Sequence, residues 1–106
     1  MWKIDQGSQT GSTSAAYTAV LDWKTVELGA KTMLLKNTGA GASLKYRLTG
    51  YAADNGIGRE LAPETTLEMG EVAEFHYQRH WARLLLELKN GVGAANYQLD
   101  YSGQGA

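Results

Sequence analysis

Apolar and polar residues alternate with a period of two along much of this chain. In residues 44–49, LKYRLT, the apolar side chains fall on one parity and the polar ones on the other. Successive side chains of a strand point to opposite faces, so this segment predicts a strand with one buried side and one solvated side. Residues 81–89, WARLLLELK, contain good helix formers, but they also alternate over a short run. We therefore predict a strand there as well.

The most strongly patterned stretch is residues 31–51, KTMLLKNTGAGASLKYRLTGY. Two strand-like runs flank a turn sequence in which Asn37, Gly39 and Gly41 can adopt positive φ at little steric cost. The pattern predicts a β-hairpin.

The other short apolar runs extend the β pattern, and Pro63 argues against a central position in a sheet at that point. The spacing predicts about seven or eight short strands. With 106 residues the chain has room for one core. We predict an all-β fold, a single antiparallel β-sandwich of jelly-roll-like type over residues 17–101.

The two termini differ from this pattern. Residues 1–16 include a small-polar stretch with few apolar groups, preceded by Trp2 and Ile4. We interpret residues 1–16 as a flexible or extended arm whose apolar end docks on a neighbouring subunit; the alternatives are a strand that returns to its own sheet and a disordered tail. Residues 102–106 are predicted to form a loose C-terminal tail.

Composition excludes several classes of protein. The chain has no cysteine, which rules out a disulfide framework and cysteine-based metal sites. Ten basic and eleven acidic residues leave a formal charge of −1, so a nucleic-acid partner is not expected. No apolar run approaches the length of a membrane helix, and the first residues lack the apolar centre of a signal peptide. We expect a soluble protein without a membrane partner.

No set of residues predicts catalysis or a cofactor. His76 and His80 would lie about 13 Å apart on one strand face, too far to share a metal ion. The glutamates between residues 60 and 74 are typical of a solvated face, although paired carboxylates could in principle serve glycoside hydrolysis. We predict no enzyme activity, no metal site and no cofactor.

The aromatic residues leave two interpretations open. They could pave a sugar-binding surface, or they could fill the core and subunit contacts of a small sandwich. Tyr51 and Trp81 lie next to predicted loops, so they are the best candidates for exposed partner contacts, together with Trp2 and Ile4.

The middle of the chain also resembles small β-sandwich proteins encoded among the structural genes of tailed bacteriophages. The similarity covers residues 31–90 and is carried by residues 36–39 (KNTG), 44–50 (LKYRLTG), 54–56 (DNG), 64–70 (ETTLEMG) and 82–84 (ARL). It does not extend to the N-terminal arm or the last strand.

This resemblance implies a non-enzymatic virion protein, made in the host cytoplasm. The expected role is capsid decoration (cement), with a homo-oligomer, often a trimer in such proteins, bound to the major capsid protein or another virion protein. A tail or adaptor subunit is the nearest variant. A carbohydrate-binding module that uses Tyr51 or Trp81 is the alternative from another class.

Overall fold

The computed structural model describes residues 4–39 and 41–105 and contains eight strands. They are β1 (Ile4–Ser12), β2 (Thr18–Lys24), β3 (Ala30–Asn37), β4 (Leu44–Tyr51), β5 (Gly58–Leu67), β6 (Val72–Tyr77), β7 (Arg83–Asn90) and β8 (Asn96–Gln104). The predicted all-β sandwich is confirmed.

The strands form two four-stranded antiparallel sheets. The first sheet has the order β1-β8-β3-β6 and the second the order β2-β7-β4-β5. The pairs are nested, since β4 pairs with β5, β3 with β6, β2 with β7 and β1 with β8, and successive pairs alternate between the two sheets. This winding resembles that of double-sheet jelly rolls. It leaves β1 and β6 as edges of the first sheet, and β2 and β5 as edges of the second.

The core lies between the two sheets and is built from alternate residues of each strand. Leu84, Leu86 and Leu88 of β7 are buried, as the period of two predicted. They face a core that also contains Met33 and Leu35 of β3. The helix that composition would allow in this segment would interrupt this layer, so tertiary burial decides the conformation.

The hairpin predicted for residues 31–51 is wrong. Both strands exist, but β3 lies in the first sheet and β4 in the second, so the intervening residues cross between sheets. The buried Asn37 holds this crossing: its Nδ2 donates to the carbonyl oxygens of Ala42 (2.9 Å) and Leu67 (3.0 Å), and its Oδ1 accepts from Gly39 N (2.9 Å). Turn chemistry in the sequence marks a reversal of the chain without saying which sheet receives the next strand.

The termini also differ from the prediction. Residues 4–12 of the expected arm form β1, which pairs with β8 along its whole length; the alternative of a strand returning to its own sheet describes them. Residues 102–104 of the expected tail belong to β8.

Two tyrosine rings of β8 pack on β1. Tyr101 and Tyr97 lie across from Gly7 and Gly11, and a Cβ at either glycine would come within 3 Å of the facing ring. These rings supply the apolar contact that the small-polar sequence of β1 lacks.

Pro63 lies in edge strand β5, where the register against β4 shifts. A proline cannot donate a hydrogen bond to a neighbouring strand, so an irregular edge is a position that tolerates it.

The loops at residues 25–29, 52–57 and 78–82 meet at one end of the sandwich, which we call the lower end. There the Ala82 amide donates to the Tyr51 carbonyl over 2.8 Å.

We expect Asn37→Ala to lower the free energy of unfolding by about 3 kcal/mol, because it leaves two buried carbonyls and one amide without their partner. Urea denaturation measures this. The matched control is Gln6→Ala at an exposed position of β1, for which a change near zero is expected. Equal stability of the two variants would contradict the role given to Asn37.

Candidate functional sites at a free edge and at the lower end

The four edge strands differ in how well they are protected against pairing with another chain. Edge strands carry unpaired backbone groups, and natural proteins shield them with bulges, prolines, charges or short length. β2 has a bulge between Ala19 and Leu21 and ends in Lys24. β5 contains Pro63 and an irregular register, and β6 has six residues with Glu74 exposed.

β1 lacks these devices within Ile4–Ser12. Its nine residues pair with β8 without a register shift and include no proline, lysine or arginine. Its one charged residue, Asp5, is engaged by Trp23, whose Nε1 donates to Oδ2 over 2.9 Å. Gln9 donates to the Val20 carbonyl of β2, which also ties β1 to the second sheet. The strand is therefore regular in register and tied to β2 on its inner side, and its outer edge is open.

The outer face of the second sheet is charged and internally paired. Arg47 makes a two-bond contact with Glu87, with Nε at 2.9 Å and Nη2 at 3.3 Å. The Arg47 guanidinium also lies 4.0 Å from the centre of the Tyr17 ring, whose hydroxyl donates to Glu64 over 2.6 Å. Exposed pairs of this kind contribute little each, and the polar groups that they join are already satisfied. This face has the character of a solvated surface.

Lys31 is a fully buried cation at the lower end. Its Nζ donates to three backbone carbonyls, those of Gly29 (2.6 Å), Arg79 (2.8 Å) and Leu28 (3.3 Å). Burial lowers the pKa of this ammonium, whereas the three carbonyl acceptors favour its charged form. The contacts join the β2–β3 loop to the segment after β6.

The four residues predicted as partner contacts are placed as follows. Trp2 lies outside the described residues. Ile4 begins β1 and is 64% exposed, and it pairs with Gln104 at the lower end. Tyr51 and Trp81 also lie at the lower end, both half-buried.

Tyr51 and Trp81 do not form one surface. The Tyr51 ring is covered by the guanidinium of Arg83, 4.7 Å from its centre, on the outer face of the second sheet. Trp81 packs instead at Gly50, the position next to Tyr51 along the strand, where a Cβ would come 2.9 Å from its Cε3. Successive positions of a strand face opposite sides, so the two rings are separated by the sheet.

The predicted absence of chemistry rests on sequence, and the geometry adds two observations. The part of the chain that the structure describes holds no group of three His, Asp or Glu side chains able to bind a metal ion. His76 is on the exposed side of β6, where its Nδ1 lies 2.9 Å from the Thr32 hydroxyl.

Within residues 4–39 and 41–105, no helix is long and apolar enough to cross a membrane.

Comparisons with known proteins inform the fold. No protein-family model matches the chain, and no curated protein matches it in sequence. Solved structures do match. One belongs to Bacillus endospore appendages, described as a family of disulfide-linked pili, with 13% identity over 99% of this chain and 88% of the other, at a TM-score of 0.69.

Two further structures have similar coverage. PirA is 17% identical over 89% of this chain and 92% of its own, with a TM-score of 0.67. The SPBc2 prophage-derived protein YomS is 12% identical over 94% of this chain and 95% of its own, with a TM-score of 0.50. At these identities, the similarity shows a shared fold and leaves function to be argued from the molecule itself.

The Tyr17–Glu64 contact predicts a loss of stability at high pH. Burial and the Glu64 carboxylate raise the pKa of the Tyr17 hydroxyl well above its usual value. Above about pH 10, the unfolded chain loses a proton that the folded chain retains, so unfolding becomes more favourable as pH rises. The stability that this proton provides is fully present below that pH.

We therefore expect the urea midpoint of the wild type to decrease as the pH is raised from about 9 to about 11. The midpoint of Tyr17→Phe should decrease less over the same range. Measuring both midpoints at each pH cancels the titration of groups common to the two proteins. Parallel curves would show that Tyr17 does not cause the loss.

Proposed function

We propose that this protein is a non-enzymatic structural subunit that self-associates by adding β1 of a second copy to the open edge of its own β1. The observation that carries the proposal is the contrast between β1 and the other three edges, which have a bulge, a proline or a short charged strand. Pairing of two such edges joins the first sheets of two copies into one continuous sheet through main-chain hydrogen bonds.

We further propose that the assembly is part of a virion, with capsid decoration as its role and the major capsid protein or another virion protein as its partner. The resemblance of residues 31–90 to tailed-phage structural proteins supports this, as does the fold shared with a prophage-derived protein and a pilus subunit. A tail or adaptor subunit would use the same edge. Polyvalent attachment to a symmetric shell makes weak single contacts effective.

The lower end is the surface that we propose faces the shell. Ile57 is 92% exposed and Val26 67% exposed at the tips of two neighbouring loops, and the exposed Ile4 begins β1 nearby. Apolar side chains that protrude at loop tips gain free energy when a partner covers them. Trp2 lies two positions before Ile4 in the sequence, so we retain it as a proposed contact residue with Ile4.

Light scattering on a sizing column tests self-association. We expect the wild type to elute above its monomer mass of 11.5 kDa, and the double variant Ser8→Lys, Thr10→Lys to elute as a monomer, because lysines along an edge oppose pairing. A dimer fits pairing of two β1 edges, whereas the trimer expected from the resemblance requires β1 to pair with a different edge.

The control places the same two charges elsewhere. Thr38→Lys, Asn55→Lys changes exposed loop positions and should leave the mass of the assembly unchanged. A wild type that remains monomeric at high concentration would contradict self-association, and a lysine pair on β1 without effect would remove β1 from it.

Cosedimentation with undecorated phage capsids tests the virion role. We expect the wild type to pellet with the particles and Ile57→Asp to remain largely in the supernatant, because a charge at this tip opposes burial of the lower end. Glu68→Gln, an exposed substitution in the β5–β6 turn at the other end of the sandwich, is the control and should pellet like the wild type. Failure of the wild type to pellet would contradict decoration of that shell.

Carbohydrate binding is the second candidate function. Tyr51 does not favour it, because Arg83 covers one face of its ring. Trp81 does favour it, because this residue lines a cleft with unpaired cationic side chains.

A further inference from the structure

A cleft of about 240 Å³ opens at the lower end between the edges of the two sheets. Its lining comes from β5, the end of β6 and the segment after β6, and consists of Arg59, Leu61, Tyr77, Arg79 and Trp81. Arg59 lies opposite Gly50 in the register of the second sheet, and Tyr77 lies opposite Lys31 in that of the first. Both sheets therefore contribute to one concave site.

The two arginines of this cleft differ from the other two arginines in the chain. Arg47 and Arg83 each make a two-bond ion pair, with Glu87 and with Asp22, and each covers a tyrosine ring. Within residues 4–39 and 41–105, Arg59 and Arg79 make no ion pair and their side chains donate no hydrogen bond. A guanidinium presents five N–H donors in a planar fork, which matches a carboxylate.

Trp81 supplies the cleft with an apolar wall, and its indole N–H is out of reach of a ligand. Its Nε1 is buried and finds no hydrogen-bond partner among the described residues, although a buried polar group without a partner is rare and costs free energy. The ring is fixed by close packing on Gly50, where a Cβ would come 2.9 Å from Cε3 of Trp81 and 2.8 Å from Cδ1 of Leu61. The cleft is therefore formed before any ligand enters.

The buried ammonium of Lys31 supports the same site from behind. Its Nζ donates to the Arg79 carbonyl over 2.8 Å and so anchors the backbone that carries this arginine. No carboxylate of the described residues pairs with Lys31, so its positive charge is not neutralised next to the cleft. The site combines donors and positive charge with apolar ring surfaces.

We propose that this cleft binds a carboxylate-bearing sugar of monosaccharide size, a uronic acid. The carboxylate is the acceptor for Arg59 and Arg79, and the C–H face of the sugar packs on Leu61 and on the rings of Tyr77 and Trp81. The volume of the cleft is smaller than that of pockets that bind drug-sized molecules, and it matches one sugar ring.

Other ligands match less of the site. A neutral hexose leaves both guanidiniums without a counter-charge, and inorganic phosphate leaves the apolar walls uncovered. An acidic peptide side chain satisfies the arginines but offers no ring to the aromatic walls. The inference is independent of the pairing proposed for β1, which is a different strand at the opposite edge of the first sheet.

Tryptophan fluorescence and ¹⁵N NMR of the indole N–H groups test the proposal. D-glucuronate, D-galacturonate, D-glucose, D-galactose, phosphate and a glutamate-rich peptide are titrated into the wild-type protein. We expect saturable binding of at least one uronate, at least 10-fold tighter than its neutral hexose, with the largest shift at the Trp81 indole. The indole of Trp23, which already donates to Asp5, should move little.

Matched variants test the contribution of each cleft side chain separately. Arg59→Gln and Arg79→Gln should each weaken uronate binding at least 10-fold, while Arg83→Gln, which removes a paired arginine outside the cleft, should leave it unchanged. Arg79→Gln preserves the carbonyl that Lys31 contacts, so loss of the fold is not expected. Trp81→Leu removes the aromatic wall and should weaken binding several-fold.

Equal affinity for uronate and hexose, or an unchanged affinity in Arg59→Gln, would overturn the proposal. A response to phosphate as strong as that to uronate would make this a general anion site, and tighter binding of the peptide would make it a protein contact; either outcome also overturns it. The double variant Ser8→Lys, Thr10→Lys should bind uronate like the wild type, so failure of the cleft and failure of the β1 edge are distinguished.

Discussion

The unpaired backbone groups of edge strands are the constraint on which this architecture depends. Two four-stranded sheets expose four edges, and the nested winding makes β1, β6, β2 and β5 those edges. Three of them carry a bulge, a proline or a short charged strand, the features by which natural proteins oppose edge pairing. β1 is regular along nine residues, and the interactions that hold it in place use its inner face: Asp5 on Trp23, and two glycines under tyrosine rings. β1 is therefore held by contacts on its inner face, while the backbone groups along its outer edge have no neighbouring strand.

A second theme is the use of single buried polar residues to hold the connections between the sheets. Asn37 joins the β3–β4 crossing to β5 at one end, and Lys31 joins the β2–β3 loop to the segment after β6 at the other. Both satisfy main-chain carbonyls that the strand ladders leave unpaired, which is what buried backbone groups require. Lys31 also places Arg79, so the same interaction that closes the fold positions a residue of the cleft. The stability of the lower end and its proposed ligand site share this contact.

Much of the fold could be predicted from the sequence because alternation reports burial directly. The leucines of β7 showed a period of two, and they are buried as expected. The pairing of β3 and β4 was not predictable in the same way, because Asn37 and its glycines signal a reversal that suits either a hairpin or a crossing. β1 was predicted only as an alternative to an arm, because its sequence is poor in apolar residues and its apolar contacts come from Tyr97 and Tyr101 of a strand more than 80 positions later in the chain.

The candidate sites were predicted less well, for a related reason. Trp81 was identified as a contact residue from its place beside a loop, but its packing on Gly50 and its place in the cleft depend on the fold, which no local pattern reports. Arg59 and Arg79 were missed because an arginine without a carboxylate partner looks like any other arginine in the sequence. The distinction arises only when the fold pairs Arg47 with Glu87, 40 positions away, and leaves these two unpaired.

Amide hydrogen exchange of β1 at low and at high protein concentration shows whether its open edge pairs with a second copy. Alternate amides of Ile4–Ser12 face away from β8, and pairing with a second copy protects them from solvent. We expect these amides to exchange more slowly at high concentration while the amides of β5 and β6 keep their rates. Exchange in β1 that is independent of concentration, or protection that grows at another edge, would contradict this pairing.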